Sequence, residues 1–434
     1  MSAPRSATAD PIAIDAARLW DELEGLARIS ALPAPAVTRV LYTEEDLAGR
    51  AYVRRLAEEA GLAVRVDPVG NAFYRLEGAD PSLPPIGTGS HIDAIPNAGK
   101  YDGTVGVLGG VAALRALKEA GRVPARPLEV VAFTSEEPTR FGLGCVGSRL
   151  MAGAIAPDAV RALEDDAGRS FEEVRQAAGF TGALEEVCLA PGHYAAFVEL
   201  HVEQGPRLEA AGVPIGAVTA IAAPASYALE LEGEGGHAGA VLMPRRKDAF
   251  AAACEIALAV ERAAKQSGSP DTVGTCGVCR VHPGAINSIP SCVHLEIDLR
   301  DTELASRERA FAEIEAAIEA VRRERGVRVD VRTINADPPA VSAPRIVEAV
   351  EAAAAAHELA SQRLVSRAYH DTLFMARVAP TGMIFVPSKD GVSHRPDEYT
   401  APEEIAQGAA VLAETMWALA ENPPSAREGD TRDG

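Results

Sequence analysis

The chain has 434 residues, of which 47% are hydrophobic and 24% charged, so it can bury a sizeable core and is not globally disordered. Its 62 acidic residues outnumber its 42 Lys and Arg residues, which gives a formal net charge of -20 at pH 7. With no dense basic cluster, this balance argues against a nucleic-acid partner, because binding to the phosphate backbone requires neutralising cations.

The sequence shows neither a membrane-spanning or secretory segment nor a cysteine pattern typical of disulfides or structural zinc. No apolar stretch reaches the ~18 residues needed to span a bilayer, and the segment from Met1 to Trp20 lacks the apolar core of a secretory signal. We therefore expect a cytoplasmic protein with no membrane partner. The six cysteines are scattered, and the pair Cys276 and Cys279 lacks the second pair of a zinc ribbon, so we expect neither a disulfide framework nor a structural zinc site.

The first half of the chain has an α/β pattern. Amphipathic helices at 14–28 and 44–60 and short strands at 61–67 and 71–76 precede a strand that ends at His91. Asp93 follows it, with a turn signal at Pro96 and Asn97, and Asp102 lies in a loop bounded by glycines. Taken alone, this stretch is equally consistent with a metal site and with a strand followed by a polar turn.

Two further strands end in polar residues. A helix at 106–120 leads to an almost entirely apolar strand at 127–134, which runs into Glu136 and Glu137. The strand at 196–206 carries His201. Strand, helix and strand in this order predict a parallel sheet, in which ligands bind beyond the carboxyl ends of the strands. Glutamate pairs are usually solvated and a lone strand histidine is usually structural, but their positions at these ends favour a site.

The pattern changes between residues 217 and 333. Strands and helices there follow in the order βαββαβ, which predicts a small α+β domain inserted into a larger domain of residues 1–216 and 334–434. His237 lies in a Gly-rich loop of the insert. The alternative interpretation is that this is an ordinary Gly-rich loop in which the histidine has no function. The α/β pattern then resumes, and a buried strand at 382–387 leads to His394. The polar tail from Glu421 onward is expected to be disordered.

The polar residues at the predicted strand ends form a possible ligand set: His91, Asp102, Glu137, His201 and His394. Imidazole and carboxylate donors without a thiolate suit Zn, Mn or similar divalent ions. Five ligands suit two ions if one carboxylate bridges them, and two ions about 3.5–4 Å apart can together activate a water and polarise a carbonyl.

These motifs resemble those of the M20-type metallo-amidohydrolases, the hydantoinase/carbamoylase group, over residues 40 to 418. The resemblance rests on five motifs that occur in the family's order: Ser90-His91-Ile92-Asp93, Tyr101-Asp102-Gly103, Glu136-Glu137, Glu199-Leu200-His201-Val202-Glu203-Gln204-Gly205 and Ser393-His394. It implies a metal-dependent exopeptidase-like catalytic domain, with the inserted βαββαβ domain serving as lid and dimerisation domain of a homodimer.

The resemblance also implies a role for each matching residue. His91, Glu137, His201 and His394 would bind two divalent ions, Mn by resemblance or Zn by ligand type, with Asp102 bridging. Glu136 matches the general base, Asp93 the residue that orients His91, and His237 the histidine that stabilises the oxyanion in its own or the partner's site. Asn287 and Arg300 match residues that bind the substrate carboxylate, and Gln204 is a further substrate contact.

Within the family, the chain looks most similar to the ureidoglycolate amidohydrolases. The supporting stretches are 136–142, 218–226, 236–244 and 366–371. Tyr369 and His370 would then contact a small hydroxy-acid substrate, and the expected reaction is hydrolysis of ureidoglycolate to glyoxylate, ammonia and CO2 in purine and allantoin degradation. The alternatives within the family are an N-carbamoyl-L-amino acid hydrolase, a β-ureidopropionase or an allantoate amidohydrolase. The alternative from another class is a non-catalytic metal-dependent binding protein.

Overall fold

A computed structural model describes residues 11–423 of the chain. The predicted disorder of the C-terminal tail therefore falls, from residue 424 onward, outside the described residues. Among the described residues, no helix combines the length and the apolar character needed to cross a membrane.

The strands between residues 11 and 423 are, in chain order, β1 Val37–Arg39, β2 Ala63–Val66, β3 Ala72–Leu76, β4 Ile86–His91, β5 Ala94–Ala98, β6 Leu128–Phe133, β7 Ala196–Val202, β8 Ile215–Ile221, β9 Ala223–Glu232, β10 Gly236–His237, β11 Val273–His282, β12 Ser288–Ile289, β13 Cys292–Asp301, β14 Arg328–Ala336, β15 Ala340–Val341, β16 Ser361–Ser366 and β17 Thr381–Val386. The α-helices are α1 Ala16–Ala27, α2 Glu44–Glu59, α3 Thr104–Glu119, α4 Val146–Met151, α5 Pro157–Arg161, α6 Phe171–Ala177, α7 Arg207–Ala211, α8 Ala249–Gln266, α9 Leu304–Arg325, α10 Pro344–Ala356, α11 Thr372–Met375 and α12 Pro402–Glu421. Short 3-10 helices lie at Leu184–Val187, Met243–Arg245 and Lys389–Gly391.

The chain forms two compact units. Within the described residues, unit 1 contains residues 11–219, 341–364 and 370–423, and unit 2 contains residues 220–340 and 365–369. The insert was predicted at 217–333. Unit 2 begins three residues later and also includes residues 334–340 and the short segment 365–369. The role of unit 2 as lid and dimerisation domain stays a prediction.

Unit 1 is built around a large mixed sheet. Its strands lie in the order β15-β8-β17-β7-β4-β6-β3-β2, with β16 paired to β8. The neighbours β17, β7, β4 and β6 run parallel, and every residue in these four strands is buried. Strands buried on both faces need side chains that can be buried in both directions, which explains the largely apolar sequences of β6, β7 and β17 and the small residues of β4.

Two cores cover the two faces of this sheet. Because successive strand residues point to opposite faces, Val130 packs with α1, α2, α3, α10 and α12, whereas Val131 and Phe133 pack with the shorter helices α4, α5 and α6. The long helices and short helices thus form separate layers. The sheet lies between them, so its strand ends are held rigidly.

Unit 2 contains a four-stranded antiparallel sheet in the order β11-β13-β9-β14. Buried and partly exposed residues alternate strictly along β13, and the buried ones pack with α8 and α9. The helices therefore cover one face of this sheet. The short strands β10 and β12 pair separately and bring Gly236 opposite Ile289 and His237 opposite Ser288.

The segment after His91 differs from the predicted turn. Residues Ala94–Ala98 form β5, which pairs antiparallel with β1. Pro96 is tolerated there because a proline on an isolated strand pair loses no hydrogen bond within a central ladder. The turn signal came from Asn97, which adopts a left-handed φ of 62° inside the strand.

Candidate metal centre

The predicted ligands lie at the carboxyl ends of four adjacent parallel strands. β4 ends at His91, β7 carries His201 as its penultimate residue, and the loops after β6 and β17 carry Glu137 and His394. Parallel strands end at the same edge of a sheet, so side chains from distant parts of the sequence meet there. Asp102 joins them from the loop that precedes α3.

Asp102 lies at the centre of this group. Its Oδ1 is 3.5 Å from His91 Nε2 and 3.2 Å from His201 Nε2, and its Oδ2 is 3.0 Å from His394 Nε2. His394 Nε2 is also 3.5 Å from Glu137 Oε1. The two oxygens of one carboxylate therefore face two different sets of ligand atoms.

These contacts define two groups of ligand atoms, each spanning less than 4.8 Å: His91, Asp102 and His201 form one, and Asp102, Glu137 and His394 form the other. Asp102 belongs to both, as a bridging carboxylate requires. Nitrogen and oxygen donors in this arrangement fit two divalent ions, although they do not discriminate Mn from Zn.

Hydrogen bonds to the far side of two imidazole rings fix their tautomers. His91 Nδ1 lies 2.9 Å from the backbone oxygen of Asp93, and His201 Nδ1 lies 2.9 Å from that of Val202. A carbonyl oxygen only accepts hydrogen bonds, so each Nδ1 carries a hydrogen and each Nε2 faces Asp102. In the protonated ring this Nε2 donates to the carboxylate, and in the neutral ring its lone pair is available to a cation. The N–H of Gly103 also donates to His201 Nε2 at 3.2 Å.

Asp93, predicted to orient His91, contacts the ring through its backbone. Its backbone oxygen is the near partner of His91, whereas its carboxylate oxygen lies 3.7 Å away. The carboxylate instead accepts the backbone N–H groups of Glu136 at 3.4 Å and Glu137 at 3.1 Å. One buried residue thus connects a proposed histidine ligand with the segment that carries the proposed base.

Gly103 lies against the His91 ring. A Cβ at this position would be 2.4 Å from His91 Nε2, and the backbone has φ +65°. Both the space and the left-handed conformation therefore require glycine here.

Three non-glycine residues with a left-handed backbone conformation lie in the segments that carry the proposed ligands. Ser135, Gln204 and His394 are non-glycine residues with φ values of 60°, 55° and 57°. Such conformations cost of order 1–3 kcal/mol each and are retained where the surrounding structure or function requires them.

The charges of the cluster depend on each other. Burial alone would raise the pKa of Asp102, but hydrogen bonds from His201, His394 and His91 hold it well below its usual range. The pKa of His394 is raised to about 9, chiefly by its hydrogen bond to Asp102. Burial raises the pKa of Glu137 to about 7. The imidazoles around Asp102 therefore hold protons that bound cations would displace.

Glu136 lies beside the cluster with a suitable environment for a base. Its Oε2 is 3.7 Å from His91 Nε2. Burial raises its pKa well above the ordinary glutamate value, and the neighbouring carboxylates of Glu137 and Asp371 add to this shift. A raised pKa makes a glutamate a stronger base toward the proton of a water molecule.

The structure also places Gln204 and His370 in unit 1 near the cluster. Gln204 Nε2 donates to Asp102 Oδ2 at 2.9 Å and to Ser393 Oγ at 3.2 Å, whereas its buried Oε1 has no partner among the described residues. The His370 ring packs edge-on against His201 at 4.6 Å. Both predicted substrate contacts are thus neighbours of proposed metal ligands.

The other predicted substrate-binding residues lie in unit 2. His237 and Asn287 are neighbours at the β10–β12 pair, where His237 lies opposite Ser288 and the Ala238 N–H donates to the backbone oxygen of Asn287 at 2.9 Å. His237 is exposed.

Arg300 and Tyr369 form a second group in unit 2 with acidic partners. Asp298 accepts from Arg300 Nε at 2.7 Å and from Nη2 at 3.2 Å, and Asp337 accepts from the Tyr369 hydroxyl at 2.8 Å. Arg300 Nη1 donates to the backbone oxygen of Arg367 at 3.2 Å.

Several polar contacts of the site have no clear signal in the sequence. Cys145 Sγ lies 3.7 Å from Glu136 Oε1. Ser393 and Glu398 contact the Asp102 loop. Only the two-residue spacing between Asp298 and Arg300, on one face of β13, could have indicated a pair.

Comparisons with known proteins identify the family to which the chain is related. The model of peptidase family M20/M25/M40 matches residues 87–418. The chain is 50% identical over 418 residues to a ureidoglycolate hydrolase from Arabidopsis thaliana, covering 95% of this chain and 88% of that protein. It is 39% identical to an N-carbamoyl-L-amino acid amidohydrolase from Geobacillus stearothermophilus, covering 94% of this chain and 99% of that protein.

A solved structure extends the likeness to the whole fold. The crystal structure of AtUAH in complex with glyoxylate is 49% identical and superposes with a TM-score of 0.84, covering 94% of this chain and 99% of that one. This similarity confirms the predicted α/β fold class. The family model and the relatives together show that the chain belongs to peptidase family M20/M25/M40.

Proposed function

We propose that the chain is a metal-dependent amidohydrolase that hydrolyses the ureido group of ureidoglycolate to glyoxylate, ammonia and CO2. One observation carries the choice of substrate: the chain is 50% identical to a ureidoglycolate hydrolase over 95% of its length. The arrangement of base and ligands around Asp102 supports the type of reaction, because hydrolysis of an amide-like bond needs an activated water and a polarised carbonyl.

The proposed ligands would hold two divalent ions. One would be bound by His91 and His201 and the other by Glu137 and His394, with Asp102 shared. Two such ions, when bound, supply Lewis-acid polarisation of the ureido carbonyl and of the attacking water. We favour Mn from the family resemblance, and Zn fits the same donors.

Glu136 is the proposed general base and acid. It would remove a proton from the attacking water and return it to the leaving nitrogen. Its burial and raised pKa favour the uptake of the proton, since the carboxylate is then a stronger base than an ordinary glutamate. The hydrogen bonds from the backbone of Glu136 and Glu137 to Asp93 would keep the base aligned with the His91 side of the site.

Arg300 is the proposed binding residue for the substrate carboxylate. Its Nε and Nη2 atoms already face Asp298, and one Nη1 hydrogen faces the carbonyl of Arg367. Three of the five N–H donors of the guanidinium are thus used, and the two that remain, one on each Nη atom, are available to donate to a substrate carboxylate. Asn287, Gln204, Tyr369 and His370 are proposed as further substrate contacts.

His237 is proposed to stabilise the developing oxyanion.

Large apolar side chains are exposed on the loops that follow His237 and precede Asn287: Leu242 is 71% exposed, Met243 72% and Ile286 fully. Exposed apolar surface of this kind is typical of a protein interface. We therefore also propose a homodimer in which unit 2 contacts a second copy, and sedimentation equilibrium of the Ile286→Glu variant would test it.

A side-by-side substrate panel tests the proposed function. Ammonia release by the metal-loaded protein should be fastest with ureidoglycolate and much slower with allantoate and with N-carbamoyl-L-amino acids. Rapid turnover of an N-carbamoyl amino acid without turnover of ureidoglycolate would assign the chain to the activity of its 39% identical relative instead. If the metal-loaded protein hydrolysed no ureido compound at all and Glu136→Gln bound the same ligands equally well, the chain would be a binding protein.

A further inference from the structure

Glu398 is a buried glutamate that contacts both loops of the proposed metal centre. It is 3% exposed. Its Oε1 accepts the backbone N–H groups of Tyr101 at 2.8 Å and Asp102 at 3.1 Å. Its Oε2 accepts the hydroxyl of Ser393 at 2.9 Å. One side chain therefore connects the loop that carries Asp102 with the residue immediately before His394.

Ser393 extends this connection to the side chain of Asp102. Its Oγ lies 3.1 Å from Asp102 Oδ2 and accepts a hydrogen bond from Gln204 Nε2 at 3.2 Å. A serine hydroxyl has a single hydrogen, so it can donate to Asp102 or to Glu398 but not to both at once. When cations occupy the lone pairs of Asp102, Glu398 remains as the acceptor that keeps Ser393 in place.

Glu398 has no basic partner among residues 11–423. Its carboxylate oxygens accept hydrogen bonds from two backbone N–H groups and one hydroxyl. The nearby Asp102 carboxylate carries the same negative charge. A buried carboxylate without a counter-ion costs free energy. Its net contribution to the stability of the metal-free protein is therefore small or unfavourable, and bound cations would offset the repulsion.

Gly99 provides an independent indication that the position of Glu398 is closely defined. A Cβ on Gly99 would lie 2.4 Å from Glu398 Cβ and 2.6 Å from its Oε1. The backbone of the Asp102 loop approaches the Glu398 side chain so closely that only glycine fits. The close contact therefore depends both on Gly99 in the Asp102 loop and on the Glu398 side chain.

We propose that Glu398 is a positioning residue for the metal centre, holding the bridging carboxylate of Asp102 and the loop of His394 in register so that both ions bind tightly. This inference rests on the proposed two-metal site. Residues that orient metal ligands from behind typically change metal affinity by about 10–100-fold when they are removed. Glu398 would act through the backbone of Asp102 and through Ser393, without contacting substrate.

Titration calorimetry of Mn²⁺ into the metal-free, full-length protein tests this proposal without any substrate. We expect Glu398→Ala to weaken Mn²⁺ binding by about 10–100-fold. Glu398→Gln should be affected less, since its amide oxygen can still accept the two backbone N–H groups. Gly99→Ala should weaken binding although it changes no polar group. Glu403→Gln is the matched control, because it removes the same charge from an exposed position five residues away and should leave the affinity unchanged.

The melting temperature of the metal-free variants separates positioning from general stability. We expect metal-free Glu398→Gln to melt at or above the wild-type temperature while it binds Mn²⁺ more weakly. Affinities of Glu398→Ala and Glu398→Gln within about threefold of wild type would overturn the proposal, as would metal-free forms of both variants that melt well below wild type. Turnover of ureidoglycolate is measured separately, so a protein that binds two ions tightly and hydrolyses no ureidoglycolate would refute the proposed function alone.

Discussion

Glu136 and Glu137 are adjacent residues with different neighbours. Glu136 lies 3.7 Å from His91 Nε2 and contacts Cys145, whereas Glu137 Oε1 lies 3.5 Å from His394 Nε2. Successive side chains after a strand point in different directions, so one glutamate can bind an ion while the other remains available for proton transfer. This division of roles can be tested by changing one residue at a time.

We expect Glu136→Gln to lower kcat by about 10²–10⁴-fold, the usual contribution of a positioned general base, while both ions still bind. Glu137→Gln should instead weaken metal binding, because it removes a carboxylate ligand. Steady-state kinetics with metal analysis of both variants checks the assignment. Loss of bound metal from Glu136→Gln, with unchanged metal in Glu137→Gln, would reverse the two roles.

Gly103→Ala should disrupt the His91 side of the centre. The new Cβ would lie 2.4 Å from His91 Nε2, so either the ring or the loop must move. We expect metal content to fall toward one ion per chain, with a loss of activity. Gly121→Ala is a suitable control, because Gly121 also has a left-handed φ but a Cβ added there would meet no described atom within 4 Å. Equal metal content in both variants would show that the contact with His91 is unimportant.

At the scale of the elements, the exposed face of β13 carries a histidine between two carboxylates. His294 Nδ1 lies 2.6 Å from Glu230 Oε1, and its Nε2 lies 2.8 Å from Glu296 Oε1. Hydrogen bonds to Glu296 and then Glu230 raise the pKa of His294 above its usual value. Both ring nitrogens act as donors, so this arrangement favours the protonated ring.

The sign of the resulting pH dependence follows from the raised pKa. The protonated ring stabilises the folded state fully below the unfolded-state pKa of about 6.5, and this stabilisation is lost as the pH rises through the higher folded-state pKa. His294→Gln should therefore lower the melting temperature at pH 6, and the difference should shrink toward pH 9. The effect should not exceed about 1 kcal/mol, because the pairs are close to the surface. A difference that grows with pH would contradict this assignment.

The strands that carry the ligands could be predicted from the sequence, because the signal lies in the residues of each strand and in those that directly follow it. β6, β7 and β17 are largely apolar segments that end in polar residues, whereas β4 consists mainly of small residues and is marked by the polar residues that follow it. Parallel strands bring such ends together. The boundary of β5 could not be predicted, because Pro96 and Asn97 are turn residues in most contexts. There, pairing with β1 overrides the local signal.

Two kinds of contact in the metal centre could not be predicted from the sequence. Some join residues that are far apart in the chain, and others depend on which atom of a residue makes the contact. Glu398 and Tyr101 are 297 positions apart, and no local pattern connects them. Asp93 was predicted to orient His91, but the sequence cannot tell whether the carbonyl or the carboxylate is the partner. Asp298 and Asp337, which contact Arg300 and Tyr369, are ordinary surface-type residues in sequence and become informative only through their hydrogen bonds.

At the scale of the whole molecule, the proposed machinery is divided between the two units. Unit 1 carries the five proposed metal ligands and Glu136, and unit 2 carries Arg300, His237 and Tyr369. Variants of the two groups should therefore have different effects. We expect Arg300→Lys to raise KM strongly and to leave metal content unchanged, because an ammonium group cannot form the paired hydrogen bonds of the guanidinium. A loss of bound metal from Arg300→Lys would contradict this division.

The most direct test of the two-metal proposal is a titration of the metal-free protein with Mn²⁺, in which bound metal and ammonia release from ureidoglycolate are measured on the same samples. We expect activity to be absent without metal, to rise with binding and to reach its plateau at two ions per chain. Full activity with one ion per chain, or hydrolysis by the metal-free protein, would contradict the proposal.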